Sequence, residues 1–273
     1  MRIYYKNHLN EKVDLDSKNI ILQYHELLNY SWNAETNNGR KIVSFYRESA
    51  TIPIKVTVTA DTEETFREVI ENFYSIVEKD VLNRIPGKLY VGEQYMSCYI
   101  SGDIKSDVFL KVFIQVKNLT VVTDNPFWIK ETEFNFKITD ITSTHNKQYP
   151  YKYPYRYANG MNNTYIINPH FTEANFKLRI YGPVVNPQVG IGGYPYLVNI
   201  MLEKGEYLEI NSMKETVVKV VANGERESVF HNRAKKKSIF KKVPPGRQEI
   251  VWSGTFDFDL LIYEERSEPK WQN

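Results

Sequence analysis

The residues best suited to hold a metal or attack a substrate are five histidines and one cysteine. His8, His25, His145, His170 and His231 lie far from one another and from Cys98, so no close spacing places two ligands on one turn. Each histidine reads as a surface or locally hydrogen-bonded side chain. Cys98 falls in the alternating stretch 95–100 and reads as a small apolar packing residue, since no base partner is indicated. Gly190-Ile191-Gly192-Gly193 has the look of a phosphate loop, but Tyr194-Pro195 continues as extended chain and no Lys-Ser/Thr follows. A hairpin turn is expected there. Asp257 and Asp259 would share one face of a strand, where a carboxylate pair could bind a cation or hydrolyse a glycoside. Phe256, Phe258 and Leu260 fill the alternate positions, the pattern of a strand with one wet face. No Gly-x-Ser-x-Gly elbow and no His-Glu-x-x-His occurs. The expectation is a protein with no catalytic residue, no cofactor and no bound metal.

Two other clusters point to contact rather than catalysis. From Arg226 to Arg247 there are eight basic residues and one acid, Glu227. Arg233, Lys235, Lys236, Lys237, Lys241 and Lys242 form its centre. Such a run is either a solvated loop on an outer rim or a docking surface for an acidic protein or an anionic wall polymer. Only Phe230 and Phe240 interleave with it, too few aromatic platforms for single-stranded nucleic acid. The second cluster, residues 149–157, is a small tandem repeat built on Tyr149, Pro150, Tyr151, Tyr153, Pro154 and Tyr155. Prolines at this spacing favour stiff, extended chain, so the repeat reads as a junction whose tyrosines pack against both flanking domains. Exposed tyrosines could alternatively stack on sugar rings.

The elements that would position these residues are mostly strands. Ile54, Val56 and Val58 alternate with Lys55, Thr57 and Thr59, which predicts a half-buried strand over 52–59. A second is expected over 20–24. One segment departs from this habit: after the capping residues Asp61 to Glu64, apolar side chains recur at Phe66, Val69, Ile70, Phe73, Ile76 and Val77. This predicts a single amphipathic helix over about 62–79. A hairpin follows over 87–92 and 95–100, then a long strand over 109–122 ended by Asp124-Asn125-Pro126, then a strand region over 127–141. The second half shows short strands punctuated by Gly182-Pro183, Asn186-Pro187, Gly192-Gly193, Asn223-Gly224 and Pro244-Pro245-Gly246. With no helical stripe among them, a β-sandwich is expected.

A chain of 273 residues is long enough for two domains, each with its own core. The reading is a mainly β protein: an N-terminal β domain with one helix over 1–145, a Tyr/Pro-rich junction over 146–159, and a C-terminal sandwich over 160–273. Twenty tyrosines and 14 phenylalanines fit strands and large interfaces better than helices. The net charge of +2 gives no general attraction to nucleic acid. A lone cysteine excludes an internal disulfide. Neither a signal peptide nor an apolar run of membrane-spanning length is seen, so synthesis in the cytoplasm and no membrane partner are expected.

Several segments, in order, resemble the distal tail proteins of long-tailed phages that infect Gram-positive hosts. They are residues 86–92 (Pro-Gly-Lys-Leu-Tyr-Val-Gly), 123–128 (Thr-Asp-Asn-Pro-Phe-Trp) and the Tyr-Pro-Tyr junction, then 175–183 (Asn-Phe-Lys-Leu-Arg-Ile-Tyr-Gly-Pro) with Asn186-Pro187. Trp252-Ser253-Gly254 and 264–271 (Glu-Glu-Arg-Ser-Glu-Pro-Lys-Trp) close the series. The match covers residue 40 or so to the end. It implies an N-terminal domain that closes into a homohexameric ring and a galectin-like C-terminal sandwich projecting outwards. It also implies a place at the virion tail tip, between the tail tube protein and the tail-associated hub or lysin protein, with receptor-binding proteins held in some members. A carbohydrate-binding adhesin of the tail tip is the alternative function.

Overall fold

The computed structural model describes residues 2–109, 112–138 and 164–270. It divides into two compact units, Met1–Lys130 with Glu265–Asn273, and Glu131–Glu264. The chain therefore crosses between units twice, within strands. The expected junction over 146–159, with Tyr149, Pro150, Tyr151, Tyr153, Pro154 and Tyr155, lies outside the described residues.

The first unit contains β1 (Ile3–Lys6), β2 (Lys12–Asp14), β3 (Ile20–His25), β4 (Asn33–Asn37), β5 (Lys41–Tyr46) and β6 (Ala50–Thr59). The helix α1 (Glu63–Asn83) follows, then β7 (Gly87–Val91), β8 (Gln94–Phe109), β9 (Ile114–Thr123) and the start of β10 (Trp128–Phe136). Strands β3, β6, β9 and the distal half of β8 pair antiparallel. The proximal half of β8 pairs instead with β7, and the ladder continues to β1 and β2. Register shifts after Ile100 and Lys105 mark bulges in β8, the device by which one strand bends to serve two ladders.

Alternation in β6 buries Ile52, Ile54, Val56 and Val58, as the sequence pattern requires. The helix lays Phe66, Phe73, Ile76 and Val77 into the same core, beside Tyr5, Leu89 and Cys98. Burial of each large apolar side chain stabilises by about 1.5–3 kcal/mol, so this face rather than intrinsic propensity holds the helix. Thr62 caps its start, accepting from Thr65 N at 3.3 Å, and Glu63 and Glu64 face the positive end of the dipole. The helix runs four residues past the expected Lys79, because Asp80 is itself drawn into the core, and it ends at Arg84 in the left-handed conformation.

The second unit is a two-sheet sandwich. Its strands are the remainder of β10, β11 (Thr164–Asn168), β12 (Asn175–Tyr181), β13 (Val184–Val185), β14 (Gln188–Ile191), β15 (Tyr194–Leu197) and β16 (Met201–Leu202). They continue with β17 (Tyr207–Asn211), β18 (Thr216–Val220), β19 (Arg226–Ser228), β20 (Gly246–Trp252) and β21 (Phe258–Arg266). One sheet has the order β19-β18-β17-β12-β21-β10, the other β11-β20-β14-β15. Phe176, Leu178, Ile180, Leu208, Ile210, Phe258 and Leu260 meet Ile166, Val189, Ile191, Tyr196 and Ile250 in one core. The intervening Lys177 and Arg179 of β12 are only partly covered, which gives the period of two.

Two segments differ from expectation. The stretch 109–122 is not one strand: β8 ends at Phe109 and β9 begins at Ile114, with Phe113 at φ +52°. No glycine or proline announces that turn. The second difference is an unforeseen hairpin, β4–β5, turning at Asn38 (φ +50°) and Gly39 (φ +68°).

Candidate interaction surfaces

Several of the residues with potential chemistry are held in hydrogen-bonded structural positions, while His145 lies outside the described residues. The carboxylate of Asp80 is fully buried: Oδ2 accepts from the Tyr5 hydroxyl at 2.5 Å, and Oδ1 accepts from His8 N at 2.9 Å and also meets His8 Nδ1. A Cβ at Gly87 would overlap both Asp80 Oδ2 and the Tyr5 ring, which explains why glycine stands there. Burial pushes the Tyr5 hydroxyl and the Cys98 thiol up, the thiol to about 12, so Cys98 is no nucleophile at neutral pH. His170 is buried and bonded to its own turn through Asn168 and Thr172. Asp257 accepts from Ile138 N at 2.8 Å and Asp259 from the Tyr181 hydroxyl at 2.5 Å, so that pair is spent on the sandwich. Gly192 and Gly193, at φ +56° and +75°, make the β14–β15 hairpin turn. Among the described residues, no three His, Cys, Asp or Glu side chains converge as metal ligands would.

The basic cluster is brought together and is built rather than loose. Residues 230–243 run along β15, the edge of the smaller sheet. Ala234 N donates to Leu197 O at 3.1 Å, Arg233 bridges to Val198, and Asn199 N donates to Asn232 O at 2.8 Å. Further on, the Tyr194 hydroxyl donates to Ser238 O at 2.9 Å and the buried Tyr196 hydroxyl to Lys241 O at 2.6 Å. Ile239 and Val243 are buried as anchors. The segment so satisfies the Leu197 carbonyl at the end of an edge strand. Lys235, Lys236, Lys237, Lys241 and Lys242 remain exposed, with Lys237 and Lys241 Nζ lying 5.3 and 4.7 Å from the Tyr194 ring centre. Arg233 stacks at 3.7 Å on Phe230, which stacks on Phe240.

The surface that sequence reasoning missed is the β4–β5 hairpin. Ile42, Val43, Phe45 and Tyr46 are all exposed, Val43 at 64%, and they alternate between both faces of the ribbon. Its root is fixed where the Arg47 guanidinium lies 5.1 Å over Phe127 and 5.9 Å over Tyr30, donates to Pro126 O, and Trp32 tilts against Phe127. Burial depresses the Arg47 guanidinium below its usual range. A cleft of about 300 Å³ opens beside the root, between Leu27, Tyr30, Arg47, Ile52, Met96 and Trp128. The Asn38-Gly39 pair just ahead of the apolar run 42–46 was the available sequence signal.

No family model matches the sequence, and no curated protein matches it. Solved structures do. The Dit protein of phage SPP1, described as a paradigm of the hub adsorption apparatus in Gram-positive infecting phages, aligns with a TM-score of 0.57 at 12% identity. That alignment covers 97% of this chain and 98% of the other. A chain of the phage p2 baseplate, in its activated conformation with Ca, aligns at 0.63 and 13%, over 98% and 99%. The same baseplate with Sr gives 0.62 and 13% over the same shares. The chain has the fold of these phage hub and baseplate proteins. The likeness runs through both units, so the helix-bearing β unit and the sandwich belong to one shared architecture rather than to two separate resemblances.

Proposed function

We propose that this chain is a structural, non-enzymatic subunit of the tail tip of a long-tailed phage. Six copies close into a ring that joins the tail tube protein to the tail-associated hub or lysin protein, and the outer sandwich offers a place to dock receptor-binding components. The observation that carries this reading is the near full-length likeness in fold to hub and baseplate proteins. The exposed hairpin adds physical support. An isolated two-stranded ribbon is marginal in water, and this one leaves apolar side chains on both faces uncovered among the described residues. A neighbouring copy that covers them would supply the missing burial. In a closed ring each subunit meets its two neighbours through different patches, and a projecting hairpin is suited to one side of such a contact.

Averaged electron-microscopy density of the assembled tip tests the reading. Sixfold density that accepts this chain beneath the tail tube is the expected result. A tip without such a ring, or a ring into which the two units cannot be fitted, would overturn it.

A further inference from the structure

A cleft of about 250 Å³ lies against the basic segment of the second unit. Pro195, Leu197, Ala234 and Ile239 form its apolar walls, and Lys236 and Lys237 stand at its rim. No carboxylate lines it. Among the described residues, none of Lys235, Lys236, Lys237, Lys241 and Lys242 takes part in an ion pair. Like charges crowded on a short segment repel, and this one is held in place by anchors at both ends. Simple solubility does not require lysines fixed around an apolar hollow.

We infer that this cleft is a docking site for an acidic, extended segment of a partner protein that lays one aliphatic side chain against Pro195, Leu197, Ala234 and Ile239 while its carboxylates meet the lysine rim. The volume suits one or two aliphatic side chains, not a folded surface. The end of β15 is already met by Ala234, whose N donates to Leu197 O, and the Pro195 nitrogen carries no hydrogen to donate, so this edge is poorly suited to adding a strand. A polyol-phosphate polymer would satisfy the lysines but has no apolar group to fill the hollow. Nucleic acid would need free aromatic faces, yet Phe230 and Phe240 stack on each other and Tyr194 is taken up by Lys237 and Lys241. The site is separate from the ring contacts proposed above and stands or falls without them.

The test uses the full chain and fluorescence anisotropy with a labelled oligoglutamate peptide interrupted by one leucine. Parallel titrations use the same peptide with serine for leucine, and polyglycerol phosphate. The expected result is saturable binding of the leucine peptide, weakened about tenfold or more in the serine peptide. Lys236→Glu with Lys237→Glu should weaken it similarly, by reversing the rim charge. Ala234→Phe, which fills the hollow and leaves every charge in place, should also do so, with thermal melting run beside it to verify the fold. Equal binding of both peptides, or indifference to Ala234→Phe in a folded protein, would mean charge adsorption only and would overturn the proposal. Preferred binding of polyglycerol phosphate would overturn it in favour of a wall-polymer surface.

Discussion

Lys117 is a fully buried lysine on β9, with its Nζ 2.8 Å from Asp103 Oδ2 and 4.4 Å from the centre of the Tyr74 ring. The sequence Val116-Lys117-Asn118 gives no hint of this, because lysine at an alternating position ordinarily marks the wet face. Its position shares the buried face of β9 with Leu119 and Val121, and Phe73 and Tyr74 from the helix pack over it. Removing one partner leaves the other buried and uncompensated, so Asp103→Ala should lower the unfolding free energy by about 3–5 kcal/mol in urea melts. Replacing both, Asp103→Leu with Lys117→Met, should be close to neutral or stabilising. A small effect of the single change would show that water or the Tyr74 hydroxyl, 3.3 Å from Lys117 Nζ, takes over. A second prediction concerns pH. Burial alone would raise the Glu209 carboxyl, but hydrogen bonds from Arg179 at 3.0 Å and Arg226 at 2.8 Å bring it below the usual carboxylate range. A depressed folded value means the contribution is fully present above the ordinary glutamate value, roughly 4.3, and is lost as pH falls through the lower one. Glu209→Gln should therefore lower Tm at neutral pH and flatten its decline on the acid side. An unchanged acid limb would assign that decline to other carboxylates.

At the scale of elements, legibility followed local signal. The helix was readable because its apolar stripe and capping residues are contiguous, and its extra turn was not, because Asp80 is buried by partners from β1 and its flank. Strand β12, whose apolar residues alternate between the Gly, Pro and Asn turn signals of the second half, was legible in the same way. The β8–β9 turn was not, since Phe113 adopts a positive φ that no residue type there announces. The β4–β5 hairpin carries the opposite lesson. Its turn signal was present, but apolar residues on both faces resemble neither an alternating strand nor a buried one. Its exposure is meaningful only beside another molecule. Ile42→Ser, Val43→Ser and Phe45→Ser together remove nothing from either core. The triple variant should keep the wild-type Tm to within a few degrees, since surface changes stay within about 0.5 kcal/mol each. On the proposed ring assembly, it should also lose self-association at concentrations where the wild-type chain associates, as read by native mass spectrometry. Rings that persist in the variant would move the subunit contact elsewhere.

At the scale of the whole molecule, the two cores are independent lists of side chains, one centred on the helix and β6, the other between the two sandwich sheets. What no local pattern could reveal is that residues 265–270 return to the first unit. There Gln94, 2% exposed, pairs its amide both ways with one backbone residue: Lys270 N donates to its Oε1 at 3.0 Å, and its Nε2 donates to Lys270 O at 3.1 Å. A chain stopped at Glu264 would leave that amide buried without partners, at a cost of about 1–3 kcal/mol. Residues 131–264, by contrast, hold both sheets of the sandwich in one unbroken stretch of sequence. Expressed alone, that stretch should melt cooperatively with β-type circular dichroism. Residues 1–130 alone should melt lower than the same fragment joined by a short linker to residues 265–273. If instead the tail made no difference while 131–264 failed to fold, the sandwich would depend on its neighbour, and the first unit rather than the second would be the autonomous body of the chain.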